Sequence, residues 1–418
     1  MTFWFHRNPL KSTTSVPFDL KLVTTNAEAV NICSQLQKCR VKLIENLSNL
    51  DCEEEIIQNQ LYNYLGLLRG FIENADSSAG SDTTRLRHVV KFKWTHSMLG
   101  SSLVSQYDVM YEFISINQEY AFWLMKKASI LSSKESVTEE QLKKIHRFLR
   151  KSVGVLSEIK TNYIHRLVDT CTIGSDLDTK VIDAYIAQCF AEAQEVTVFR
   201  AIDLKHSPAL ISALAHTTSQ KFLEAAMNIK ALEITKFGKW MHYFQIKCCC
   251  YDALAYSFFG DNLIKLEKCG EAIRCSQESF RRIEILSPLM KEYFKMKSYG
   301  SAPKQDQTGF FQRIKSSLTR IKDKCERENN LIFHQKVPLD LPNLELQATH
   351  GIVAPEPYTI PPISSLWTPF ACSAFDLTIP LKNLSLKDNH EPKEESKSSP
   401  PKEEKSGKSK KDKKSPKK

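Results

Sequence analysis

Between residues 18 and 207 the sequence contains no proline, and only five of its 17 prolines precede Pro338. Proline interrupts helix interiors and central strands. Its absence therefore permits long continuous helices, whereas a sandwich or barrel of short strands needs turn residues far more often. No C-x-x-C pair occurs among the twelve cysteines, and three of them, Cys248, Cys249 and Cys250, are consecutive. That spacing suits neither a disulfide framework nor a zinc site. Scattered thiols of this kind serve as small core hydrophobes in a reducing compartment. No window reaches the ~20 apolar residues that span a bilayer, and residues 1–11 lack the apolar run of a signal peptide. The expectation is a cytoplasmic or nucleocytoplasmic protein.

Catalytic signatures are missing too. There is no G-x-x-x-x-G-K-[ST] loop, no G-x-G-x-x-G after a strand, no H-E-x-x-H and no G-x-S-x-G. The eleven histidines are dispersed along the chain. The sequence predicts a protein that is not an enzyme and that uses no cofactor, metal or small-molecule substrate.

What is present is apolar material and helical periodicity. Of the 418 residues, 42% are hydrophobic, enough for a large core. In residues 136–160, Thr138 with Gln141 has the spacing of a capping box, and Leu142, Ile145, Leu149, Val153 and Leu156 recur at helical intervals. The opposite face carries Glu139, Lys143 and Arg147, four residues apart, which on periodicity alone is a solvated face. A second helix spans about 180–203, with Ala184, Ala187, Ala191 and Ala193 as small residues that admit a close neighbour. Ser207 is a natural N-cap and Pro208 a natural first helical residue, and Leu210, Ile211 and Leu214 follow as a core-type stripe. Two more long helical patterns fill 239–297. Gly270 at their junction, after Ala253, Ala255 and Tyr256, resembles a tetratricopeptide-type pair, although no regular repeat period exists. A further helix covers about 309–329.

Composition changes at Val337. Seven prolines between Pro338 and Pro369 alternate with large apolar residues, among them Tyr358, Ile360 and Trp367. This describes an extended strap packed on the helical body, since exposing it would create large hydrophobic patches. Beyond Phe375 there is no aromatic residue, and residues 387–418 hold twelve Lys against seven Asp plus Glu, a balance of +5 out of the total of +10. The tail, residues 379–418, has the composition of disorder. Its lysines (Lys410, Lys411, Lys413, Lys414, Lys417 and Lys418) admit three readings: a solubilising end, a nuclear import signal, or a polybasic contact to anionic lipid or nucleic acid. Nucleic-acid recognition is disfavoured by interspersed acids and missing aromatics.

Residues 1–11 (MTFWFHRNPLK), Phe92-Lys93-Trp94, residues 191–196 (AEAQEV), 200–215 (RAIDLKHSPALISALA), 268–274, 325–329, Trp367-Thr368-Pro369 and 374–378 together resemble the Bro-one (BRO) domain family. The resemblance covers residues 1–378, with 337–378 as the strap, and implies one domain rather than the two or three that length alone allows. It implies an all-α, mostly helical, boomerang-shaped fold with a tetratricopeptide-like core. The implied function is that of an ESCRT-associated adaptor. Its partners would be ESCRT-III subunits of the charged multivesicular body protein class, whose C-terminal amphipathic helix lies in a groove. By the family's pattern Thr197, Leu210 and Leu214 line that groove, Glu139, Lys143 and Arg147 border it, and His350 and Ile352 of the strap touch it. Such an adaptor is recruited to endosomal or other membranes; the alternative is a nuclear or nuclear-envelope protein, associated with nucleic acid or an anionic membrane through its basic tail.

The sequence departs from the family in four places. Thr197 stands where several relatives have a large aromatic, His96 where an acid is common, and Phe333 where relatives carry a phosphorylatable tyrosine. The last cysteine is Cys372, so the C-terminal prenylation box of some short members is not expected here.

Overall fold

In the computed structural model, residues 3–18, 20, 24–73, 84–134, 136–297, 308–344 and 347–375 are described. The Lys-rich tail with all six of its singled-out lysines lies outside the described residues. Helix α1 (Ala27–Ser48) is capped by the Asn26 side chain, and α2 (Glu54–Arg69) follows it. A short antiparallel pair, β1 (Phe92–Trp94) and β2 (Val104–Gln106), registers Phe92 against Gln106. Helix α3 (Val109–Ser132) is buried on almost every face and forms the centre of the N-terminal half. Around it pack α1, α2, β1 and α4 (Glu139–Asn162). The capping box read from Thr138 and Gln141 is formed, each side chain serving the other's backbone N–H.

The second half is a run of antiparallel helices: α5 (Thr179–Asp203), α6 (Pro208–Ile229), α7 (Ile234–Lys265) and α8 (Cys269–Glu284). Ser207 caps α6 through its hydroxyl and Pro208 opens it. Small residues set the spacing. In α6, Ser212 donates to the Ala255 carbonyl and Ser219 to that of Cys248, so partners in α7 recede as α6 advances. Across α7 and α8, Ser279 donates to the Ala253 carbonyl, and a Cβ at Gly260 would lie 3.0 Å from the Ala272 carbonyl oxygen. This is the helix-pair packing expected from Gly270 and its neighbours.

The pattern at 269–294 is two helices rather than one. Helix α8 ends at Glu284 and α9 (Leu286–Lys295) begins after Ile285. Pro288 cannot donate to residue 284, and its ring crowds the carbonyl there, so the helix breaks. Helix α10 (Thr308–Glu328) then packs on α7 and α8 and passes into a π-type turn at Asn329–Phe333.

Two extended segments tie the helices together. Residues 3–11 thread through the interior: Trp4 meets Tyr243 and Tyr293 edge-on, and Arg7 makes a two-pronged ion pair with Glu192 of α5 at 2.7 and 2.8 Å. The strap covers α5, α4 and α2 in turn. Its Tyr358 hydroxyl donates to Asn117 at 2.6 Å, and the Trp367 indole donates to the Leu67 carbonyl at 2.8 Å. The strap ends in a short helix, α11 (Pro369–Ser373), capped by Thr368, where an extended chain was expected.

Candidate functional site

The residues proposed from sequence fall on three elements, α4, α5 with α6, and the strap. Helix α4 presents its polar face as expected. Lys143 (side chain 64% exposed) lies 3.3 Å from Glu139, and Glu139 also accepts from Arg200 of α5 at 2.9 Å. The hydrogen bond from Lys143, then the charges of Lys143 and Arg200, hold the Glu139 carboxyl below the usual carboxylate range. Arg147 (50% exposed) reaches Glu356 of the strap at 3.3 Å and Glu54 at 3.7 Å. Arg150 donates to the Ala354 carbonyl at 2.7 Å. The α4 face is thus a cationic rim tied both to α5 and to the strap.

Leu210 and Leu214 are core-facing in this structure. Leu214 is 1% exposed, because the strap lies over it. Gly351, at a φ of +80°, brings bare backbone to this point; a Cβ there would sit 3.5 Å from both Leu214 methyl carbons and 3.6 Å from Thr197 Cγ2. The small Thr197 leaves room for this approach, where an aromatic would not. Gln194 clamps the segment by donating to the Gly351 carbonyl at 2.8 Å and accepting from the Val353 N–H at 2.9 Å. His350 and Ile352 face solvent; Ile352 is 57% exposed.

The structure therefore brings Thr197 and Leu214 together with Gly351 and sets Arg147 against the strap. Sequence reasoning missed Gln194, Arg150, Arg200 and Glu356. Gln194 lay within the quoted AEAQEV motif, but nothing local distinguishes it from Glu192 or Glu195. His146, between the rim residues, was missed too. Burial, then the charges of Arg150 and Arg200, lower its pKa from 6.5 to about 4. A half-buried His beside two arginines binds protons less readily than the same side chain in the unfolded chain. Its contribution to stability is therefore present above pH 6.5 and is lost as pH falls toward 4. His146→Gln is expected to flatten that acid limb in urea titrations run between pH 4 and 7.

Among the described residues, no group of three or more His, Cys, Asp or Glu is arranged to hold a metal ion. No helix among them is long and apolar enough to cross a membrane.

A tetratricopeptide-like helical body, a cationic helix face and a backbone strap laid over an apolar floor define a mostly helical scaffold with an N-terminal and a strap segment threaded across it. Residues 19–365 match the family model of the BRO1-like domain, and the chain belongs to that family. It is 41% identical over 387 residues to the BRO1 domain-containing protein BROX of Mus musculus, covering 93% of this chain and 94% of that one. It is 36% identical to the BROX homolog of Caenorhabditis elegans, with 90% of each chain covered. Among solved structures, the ALIX BRO1 CHMP4C complex superposes with a TM-score of 0.66 at 18% identity, covering 87% of this chain and 99% of that one. ALIX in complex with the SIVmac239 PYKEVTEDL late domain gives a TM-score of 0.67 at 18% identity, over 93% of this chain and 53% of that one.

Proposed function

We propose that this protein is a non-enzymatic adaptor that binds the C-terminal amphipathic helix of an ESCRT-III subunit against α4, α5, α6 and the strap. The observation that carries the reading is the exposed cationic rim of Lys143, Arg147 and Arg200, with Ile352 of the strap exposed and Gly351 laid over Thr197 and the buried Leu214. A helix with an apolar stripe flanked by carboxylates complements both features. The complex of ALIX BRO1 with CHMP4C, on the same fold, supports this partner class. The Lys-rich tail supplies a second, electrostatic contact to an anionic membrane surface, recruiting the adaptor from the cytoplasm.

The test is titration of such a peptide into the full chain. Lys143→Glu changes a largely exposed side chain and Arg147→Glu also removes the pairs with Glu356 and Glu54, so melting curves accompany both; affinity is expected to fall about tenfold per reversal, most steeply at low salt. Leu214→Asp is expected to abolish binding, since a carboxylate on the apolar floor is costly; its melting curve must accompany the result. No binding of wild-type protein at high micromolar peptide would refute the reading, as would unchanged affinity in both charge reversals.

A further inference from the structure

Four ionisable side chains converge along the α4–α5 boundary, where the strap crosses it. Lys143, His146 and Arg150 are three and four residues apart, so helical geometry puts them on one stripe of α4. Arg200 of α5 faces that stripe, because it shares the Glu139 carboxylate with Lys143, at 2.9 and 3.3 Å respectively. Arg150 holds the strap by donating to the Ala354 carbonyl at 2.7 Å, and it has no carboxylate partner among the described residues. His146 is half-buried, feels the charges of both arginines, and makes no hydrogen bond among the described residues.

The charges do not balance. Lys143, Arg150 and Arg200 are three cations facing one carboxylate, Glu139. Arg147 brings no spare acid to them, since Glu356 and Glu54 are its own partners. His350, the strap's nearby titratable group, is not an anion. The surplus is therefore two positive charges beside a neutral imidazole. A phosphorylated side chain carries about −1.5 to −2 at pH 7 and three acceptor oxygens. Guanidinium forks suit such a tetrahedral group, whereas a carboxylate, with one charge, leaves half of the surplus uncompensated. Position decides between sources. Arg200 is one turn from Thr197 on α5, and Arg150 grips the strap three residues beyond Gly351. An anion held here thus belongs to a peptide in the groove rather than to a bilayer.

We propose that Lys143, His146, Arg150 and Arg200 form a phosphate-binding site, and that its ligand is a phosphorylated side chain on the polar face of the helix in the groove. The site stands on these residues; the source of its phosphate rests on the groove reading above.

Two arms separate the two. In the first, the His146 ring of the full chain is titrated by NMR through its midpoint near pH 4, in sodium sulfate and in sodium chloride of equal ionic strength. Sulfate, a tetrahedral dianion at these pH values, stands in for phosphate. The midpoint is expected to rise by about one unit in sulfate, because a bound dianion offsets the two arginines. Arg200→Gln, at a side chain 45% exposed, should remove that rise with little change in the melting curve. Equal midpoints in the two salts, or an undiminished rise in Arg200→Gln, would overturn the site. In the second arm, the amphipathic peptide carries phosphoserine singly at each polar-face position and is compared with its serine counterpart. One position is expected to bind about tenfold tighter when phosphorylated, with the gain lost in Arg200→Gln. No gain at any position, or binding of phosphoinositide vesicles through Arg200 instead, would overturn the phosphopeptide as ligand. Peptides that fail to bind at all would overturn the groove and the phosphate's source together, while the sulfate arm still decides the anion site.

Discussion

Lys247→Met is expected to destabilise the protein by about 3–5 kcal/mol at neutral pH, the usual cost of removing one partner of a buried ion pair. Lys247 and Glu195 are both fully buried, and the ammonium donates to the two carboxylate oxygens at 2.8 and 2.7 Å. The rest of its surroundings are aromatic faces, with the Phe310 ring centroid 3.9 Å away. Burial pushes the Glu195 carboxyl up to about 7, against the opposing pull of Lys247, and burial likewise lowers the Lys247 pKa against the pull of Glu195. Methionine fills much of the lysine's space but leaves that carboxyl beside Glu192 with no cation. The group must then protonate on folding. A raised carboxyl pKa costs stability as pH climbs above the unfolded value, so the deficit of Lys247→Met is expected to shrink as pH is lowered from 7 toward 4.5. Urea midpoints across that range check the sign. Adding Glu195→Leu should recover most of the loss, because an apolar pair of similar volume replaces buried charges at little cost. A single variant within about 1 kcal/mol of wild type would contradict the buried pair.

The second large effect is expected at Gly154. In most exposed helix interiors Gly→Ala adds about 1 kcal/mol of stability. Here a Cβ would lie 2.0 Å from the Glu356 carbonyl oxygen of the strap, which is backbone and cannot rotate away. Gly154→Ala must therefore lift the strap. That would break the Glu356 N–H bond to the Arg150 carbonyl at 3.1 Å and the Glu356 pair with Arg147, and loosen Tyr358, whose Cβ lies 3.5 Å from the same point. Overpacking of this kind costs about 1–3 kcal/mol even after helix propensity is gained. Limited proteolysis is expected to cut residues 350–360 sooner in the variant, and the melting transition to fall. A rise in melting temperature, the ordinary result for a helical glycine, would rule out the close approach of strap and α4. The same variant reports on the proposed partner groove, because the segment it lifts is continuous with Gly351 over Leu214.

What the sequence determined by itself is the helical body, and the reason is locality. Helix hydrogen bonds join residues four apart, so a proline-free run, the Thr138–Gln141 box and Ser207-Pro208 contain their own outcome. The strap was legible for a related reason, since clustered prolines break helix interiors and its large aromatic residues Tyr358 and Trp367 are covered, although Ile352 and Phe370 remain exposed. Tertiary structure alone decided what the polar residues of the AEAQEV run do. Glu192 pairs with Arg7, 185 residues away; Glu195 with Lys247, 52 away; and Gln194 clamps Gly351, 157 away. Three similar side chains within one turn of one helix acquire separate roles because each faces a different neighbour. The burial of Leu214 beneath Gly351 belongs with them. Periodicity marks Leu214 as apolar and inward, but only the packed strap determines how much of it a partner meets.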